Sequence, residues 1–558
     1  MNEQLQQLST EYWDTLMEAF PSSATLLGDH RFDDQIEDFS NENLQSLADR
    51  LASIKTTAEA IDESGLSTTE KVSRSMMLWG CRSFQEQFEL GVIELQSDQM
   101  NGPHASYLTL LPNLNLPDPE HADAILSRFE KFDIPLETAA DRFRDGLAKG
   151  RTPARINIER SLHQLDGYLA KSLDNDPFVN LQGPADWGGE SEWRDRLRDI
   201  VATNIRPAFE RYRTALADEL LPVGRPNDQA GLRWIKDGEE LYAVLARYYT
   251  TSELTPAELH RIGRDVIENQ LPGEYATISE RALGISDLPE LLEKLRSDLT
   301  LRFSTGDEML EVATNSLTRA TAAMDSWFGR LPQAECQIEV VPDHIAADVP
   351  RAYYFPPADD GSRPGTHFVN LHDPEDCNRY DAEAVAFHES IPGHHLQIAI
   401  GSELENVPVF QRHALAGAFV EGWGLYSERL ADEMGLYSSD LDRIGMLSGD
   451  SWRCGRLVVD TGIHTMGWSR QEAIDYLTAN SAVSVSDIEV EVDRYIGIPG
   501  QALSYKTGER EIWRLRREAE SQLGDRFDIQ AFHDVVLGHG SVSLDLLADL
   551  VEEWVAAQ

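Results

Sequence analysis

Three histidines and a glutamate crowd into eight residues of this chain: His388, Glu389, His394 and His395, within AVAFHESIPGHHLQIAI (384–400). A histidine–glutamate pair followed one helical turn later by a second histidine is the zinc-peptidase pattern H-E-x-x-H, two ligands with a general base beside the first. Position 392, where the second histidine belongs, is a proline. On an unbroken helix, residues four apart are separated by about 6 Å along the axis and share a face. Residues six apart rise about 9 Å and turn away, and residues seven apart rise about 10.5 Å. Pro392 argues against an unbroken helix, because it has no N–H for the carbonyl of His388 and its ring collides with that carbonyl. Gly393 accepts almost any backbone angle. Looping out both residues leaves H-E-S-I-H with His394 as the second ligand, whereas looping out three promotes His395. The shorter loop is the more economical, so His388 and His394 are the expected pair.

A third ligand is available in AFVEGWGLYSERLADE (418–433), which reads as a helix antiparallel to the first across a turn near 402–408. Counted from position 405, Glu421 falls level with the two histidines, and Glu428 lies about 10 Å further along the axis. Glu421 is therefore expected to complete a His, His, Glu site for one zinc ion per chain, with one position open. Glu389 would be the general base acting on water at the metal. The flanks of the first segment are apolar, so its polar groups need satisfying by a metal or by a hydrogen-bonded core cluster. Downstream, RLVVDTGIHTMGWSR (456–470) offers His464, and IPGQALSYKTGERE (498–511) offers Tyr505, Lys506 and Arg510. A Tyr or His donor aimed at a developing oxyanion is the usual complement to a metal. Lys506 or Arg494 is a candidate partner for a substrate's terminal carboxylate.

The elements that must hold these residues are mostly helices. Apolar residues recur at helical spacing over stretches such as 42–62, 68–93, 153–174, 190–221, 255–270, 286–303 and 306–329. The same spacing returns over 381–402, 407–434, 438–464, 469–479, 486–496, 502–520 and 543–556. Between the two groups, residues 336–373 carry the β-rich runs IEVV, AYYF and THFVNL, split by Pro- and Gly-rich turns. The expectation is a mainly α chain with one small antiparallel sheet just before the histidines. No clear domain boundary is visible, though 1–330 and 331–558 are suited to two lobes around a cleft.

The chain carries 96 acidic residues against 49 basic ones, a net charge of −47, and only eight of the basic residues are lysine. Nucleic-acid binding is disfavoured, because a phosphate backbone would be repelled. Excess carboxylate spread along the chain fits a halophile's enzyme, since repulsion in molar salt is screened over about 3 Å. The rival explanation is an acidic surface that recruits cationic partners. Four scattered cysteines include no C-x-x-C pair, which suggests neither a disulfide framework nor a thiolate metal site. No secretory signal is read at the N-terminus and no apolar run approaches a membrane span. The expected location is the cytoplasm, with no membrane partner.

Four ordered motifs carry a family resemblance: H-E-x-x-P-G-H-H-x-Q at 388–397, E-G-W-G-L-Y at 421–426, V-D-T-G-I-H at 459–464 and P-G-Q-A-L-S-Y-K at 499–506. Together they resemble the bacterial and archaeal family called domain of unknown function 885. RAYYFPP (351–357) and GTHFVNL (365–371) also fit. That family is similar in fold to the carboxypeptidase Taq family, and more distantly to the oligopeptidase and angiotensin-converting-enzyme types. The resemblance implies a zincin-like helical clam-shell with zinc in a deep channel. It also implies a sheet edge beside the metal to which an extended peptide adds as a strand. GTHFVNL is the candidate edge, and His367 within it a candidate substrate contact. The relatives steady the tetrahedral intermediate with a downstream Tyr and His, which match Tyr505 and His464. The expected function is a zinc metallopeptidase that trims short peptides from the C-terminus. The alternatives are a metal-dependent hydrolase of a non-peptide amide and a non-catalytic peptide-binding scaffold.

Overall fold

The computed structural model describes residues 2–342, 346, 350–358, 363–414 and 416–558. Several of its helices begin where the sequence supplies caps. Ser67 with Glu70, Thr255 with Glu258 and Ser469 with Glu472 each form the reciprocal capping box, starting Thr68–Glu89, Pro256–Asp265 and Arg470–Asn480. In each, a hydroxyl and a carboxylate satisfy backbone N–H groups that the first turn leaves free. The buried residues of one core all lie within 107–220, Phe129, Phe132, Phe178 and Phe209 among them, with Ile36 and Phe39 packed against it. The largest core instead joins the N-terminal helices Glu3–Ala19, Asn41–Glu59 and Thr68–Glu89 to residues 387–551. Among the described residues, no helix is long and apolar enough to cross a membrane.

The sheet has three strands, β1 (Cys336–Val340), β2 (Ala352–Phe355) and β3 (Gly365–Val369), in the order β1-β3-β2. It is mixed rather than antiparallel: β2 pairs antiparallel with β3, whereas β1 pairs parallel with it, Cys336 opposite Gly365. The chain leaves β1 by a crossover to the far side of β3 instead of turning back on itself, so β1 and β3 run the same way. GTHFVNL therefore holds the central strand. With neighbours on both sides it has no free edge, and the outer strands are β1 and β2. Part of the turn read between β2 and β3, residues 359–362, lies outside the described residues.

Six helices after the sheet build the site: α1 (Ala382–Glu389), α2 (His394–Ser402), α3 (Gly417–Glu433), α4 (Asp440–Thr461), α5 (Val485–Gly497) and α6 (Ser504–Leu523). The stretch 381–402 thus forms two helices, and a short helix, Val409–Arg412, precedes α3. The helix Ile529–Leu537 goes unread in the sequence between 520 and 543. α3 and α6 lie unusually close, because a Cβ on Gly508 would collide with the carbonyl of Ala418. This approach brings Tyr505, one turn before Gly508, beside Glu421.

Candidate metal centre

The break in the histidine helix is four residues long, not two. α1 stops at Glu389, Ser390 leaves helical geometry at φ −103°, ψ −111°, and the Ile391–Pro392 peptide bond is cis. The Pro392 carbonyl accepts a hydrogen bond from Trp423 Nε1 at 2.9 Å, which fastens the loop to α3. Gly393 passes so near the Phe387 and His388 carbonyls that any Cβ would collide with both. Helix resumes at His394, and the His395 N–H donates back to the Ser390 carbonyl at 3.1 Å.

This loop brings His388 and His394 together, with ring centroids 4.6 Å apart and planes at 81°. Glu421 Oε2 lies 3.7 Å from His388 Nε2 and 3.6 Å from His394 Nε2. Atoms bound to one tetrahedral zinc at about 2.0–2.1 Å stand about 3.3 Å apart, so a small adjustment would close the set. One ligating atom from each of the three residues lies within 4.8 Å of the others. Gly424 makes room for the His388 ring, whose Cε1 would lie 2.6 Å from a Cβ there. Glu428 accepts from His388 Nδ1 at 2.8 Å, leaving Nε2 to face the cluster. A carboxylate on the far nitrogen is the usual way a metal-binding imidazole is oriented. Glu428 lies behind Glu421 as a ligand on helical rise alone. It reaches the site as the partner of the first ligand, and the pair at 421 and 428, two turns apart on one face, was the available signal.

The electrostatics suit a cation. Burial alone would raise the Glu421 carboxyl, but hydrogen bonding to His388 and His394 outweighs it and holds the group well below its usual range. Burial alone would lower His388, but Glu421 and Glu428 lift it to about 9. His394 Nδ1 is buried with no hydrogen-bond partner. The residues present therefore fit a zinc ion in both donor type and spacing.

His395 belongs elsewhere. Its Nδ1 meets the Tyr354 hydroxyl at 3.0 Å and its Nε2 the Ala334 carbonyl at 3.1 Å, which ties α2 to the sheet. Half-buried Glu389 lies near the cluster and β3, since its charge acts on both His388 and His367. His367 is 1% exposed, neither ring nitrogen has a hydrogen-bond partner, and burial pulls its pKa down to about 4. Tyr505 is also brought in: burial and then the charge of Glu421 raise its phenol, against the pull of Arg456 and Arg494.

Two expected residues are not at the site. His464 is fully buried; its Nδ1 accepts from the Leu232 N–H at 3.1 Å, and its Nε2 donates to the Tyr495 carbonyl at 3.0 Å. Both nitrogens are spent on backbone, so it has no proton to aim at an oxyanion. Lys506 is 4% exposed and bound to Asp450 at 2.7 Å and Glu509 at 2.9 Å, with Arg429 on the other oxygen of Asp450. A cation so neutralised cannot hold a substrate carboxylate. Arg510 is exposed. Arg494 pairs with Glu491 at 2.8 Å while acting on Tyr505.

Comparison with solved structures gives the same fold. A candidate lipoprotein from Colwellia psychrerythraea is 27% identical, with each chain covered over 100% of its length and a TM-score of 0.92. A candidate lipoprotein of unknown function from Shewanella oneidensis is 18% identical, with 98% of this chain and 99% of that one covered, at a TM-score of 0.77. No curated protein matches the chain. The profile of one family runs across nearly all of these elements, from residue 21 to residue 551, and the chain belongs to that family, described as bacterial protein of unknown function (DUF885).

Proposed function

We propose that this chain is a zinc-dependent peptidase acting on short peptides, one zinc per chain. The observation that carries the reading is the convergence of His388, His394 and Glu421, with Glu428 fixing the first imidazole and Glu389 alongside. A zinc ion held there supplies Lewis acidity towards a scissile carbonyl and a water molecule. Glu389 takes a proton from the attacking water and passes it to the leaving amine nitrogen as the C–N bond breaks. Hydroxide is thus added to the acyl carbon and hydrogen to the amine. The Tyr505 phenol donates a hydrogen bond to the carbonyl oxygen as negative charge gathers on it. Neutral His367 on β3 offers a ring N–H to the substrate backbone. In the same reading, the helices form a zincin-like clam-shell of the carboxypeptidase Taq and oligopeptidase type around the site. The helical chain and the small sheet joined to α2 by His395 and Tyr354 support this.

The test is elemental analysis of protein purified without chelator, beside His394→Ala and Glu389→Gln variants. About one zinc per chain is expected in the parent and in Glu389→Gln, with little in His394→Ala. Peptide hydrolysis should be lost in both variants. A parent that takes up no metal even when zinc is added would overturn the reading, and unchanged turnover in Glu389→Gln would remove that residue as the base.

A further inference from the structure

Beside Tyr505 the interior holds more positive charge than its neighbours neutralise. The Arg456 guanidinium stands 4.4 Å from the Tyr505 ring centroid and 4.3 Å from that of Trp452. Arg456 and Arg494 share one carboxylate: Glu491 is 3.0 Å from Arg456 NH2 and 2.8 Å from Arg494 NH2. The Tyr495 hydroxyl accepts from Arg456 Nε at 2.9 Å and donates to Glu491 at 2.8 Å, while Arg494 NH1 donates to Gln501 at 2.8 Å. These bonds leave Arg456 NH1 buried without a hydrogen-bond partner, on a residue only 4% exposed. Within hydrogen-bond reach two guanidinium groups share one carboxylate. Buried Asp460, which acts on Arg494 from further off, has its carboxyl pushed up to about 7 by burial. The pair is thus under-neutralised, and a buried unpaired charge is costly. The neighbouring buried cations differ, for Lys506 and Arg429 are met by Asp450, Glu509 and Glu274. An unmet positive charge in a chain of net charge −47 calls for an anion from outside.

We propose that Arg456, together with Arg494, binds a carboxylate of the peptide substrate on the Tyr505 side of the metal cluster. This rests on the peptidase reading and narrows its substrates to peptides that present a free carboxylate at that point. Two sources share the chemistry, the peptide's C-terminus and an acidic side chain. Either is met by a charge-assisted hydrogen bond from Arg456 NH1, the nitrogen that the other bonds leave without a partner.

The experiment measures binding by calorimetry to zinc-loaded Glu389→Gln protein, so that no cleavage is needed. The probes are Ala-Ala-Ala-Phe as free acid, the same peptide as C-terminal amide, and Ala-Ala-Glu-Phe amide. The free acid should bind at least about ten-fold more tightly than the plain amide, as loss of a charge-assisted bond implies. Adding Arg456→Met should abolish that preference while leaving zinc content unchanged. Should that variant fail to fold, Arg494→Gln carries the same expectation. If the Glu-containing amide binds like the free acid, either carboxylate is accepted; if it alone binds tightly, the carboxylate is a side chain's, and in both cases the subsite stands. Equal binding of all three peptides, or a preference that survives both substitutions, would overturn the proposal. Hydrolysis by the parent is read separately. Cleavage without carboxylate preference sinks the subsite and keeps the peptidase. Preference without cleavage does the reverse.

Discussion

A single imidazole sets the order of the site. His388 is gripped at both ends, by Glu428 at Nδ1 and by the cluster at Nε2. On helical rise alone the two glutamates compete for one role, with Glu421 the better placed. A histidine with two nitrogens uses both, one facing a carboxylate within the proposed metal set and one a carboxylate behind it. Replacing Glu428 by glutamine removes the orienting charge and leaves the three proposed ligands in place. Zinc affinity, measured by competition with a chromophoric chelator, should fall by about 10- to 100-fold. An unchanged affinity would mean that the Gly424 cradle alone holds the ring.

At the scale of elements, the sequence disclosed what is local and withheld what depends on partners far along the chain. The proline at 392 and the glycine at 393 announced a break between His388 and His394, and helical spacing placed Glu421 opposite. Strand order was not legible, because neither CQIEV nor AYYF carries a signal for the strand it pairs with, and the crossover alone puts β3 between them. Lys506 adjoins Tyr505 and His464 ends a family motif, yet their partners are Leu232, Tyr495 and Asp450, which motif spacing does not locate. His464 joins the loop at Leu232 to the ends of α4 and α5, which makes it a structural clamp with a pH dependence of its own. Burial pushes its pKa from 6.5 down to about 3. A group with a depressed folded pKa stabilises fully above its unfolded pKa, and that stabilisation drains as pH falls towards the folded value. The window is therefore pH 6.5 down to about 3, at about 1.4 kcal/mol per pH unit. Denaturation of parent and His464→Gln at pH 7.5, 6 and 5 should show the parent's advantage shrinking below 6.5. A constant gap would mean that the clamp does not exclude the proton.

For the whole molecule, the decisive quantity is charge. With 96 acidic and 49 basic residues, even complete one-to-one pairing would leave 47 carboxylates without a partner. Many of the pairs that exist are exposed arginine bridges, such as Arg144 with Glu219 and Arg281 with Asp440. Salt acts on these two populations in opposite directions. It weakens exposed bridges, each worth about 0–1 kcal/mol, and it screens repulsion among the surplus carboxylates, whose reach shrinks from about 10 Å at 0.1 M to about 3 Å at 1 M. Repulsion acts among all the surplus groups at once, whereas each bridge acts alone, so screening should win. The thermal midpoint is expected to climb steadily between 0.1 and 2 M KCl. Chloride and sulfate salts should differ only in slope, because sulfate also strengthens apolar burial. A midpoint that stays flat or drops in KCl would mean that the surface bridges outweigh the repulsion, and the acidic surface would then be explained by cationic partners rather than by salt.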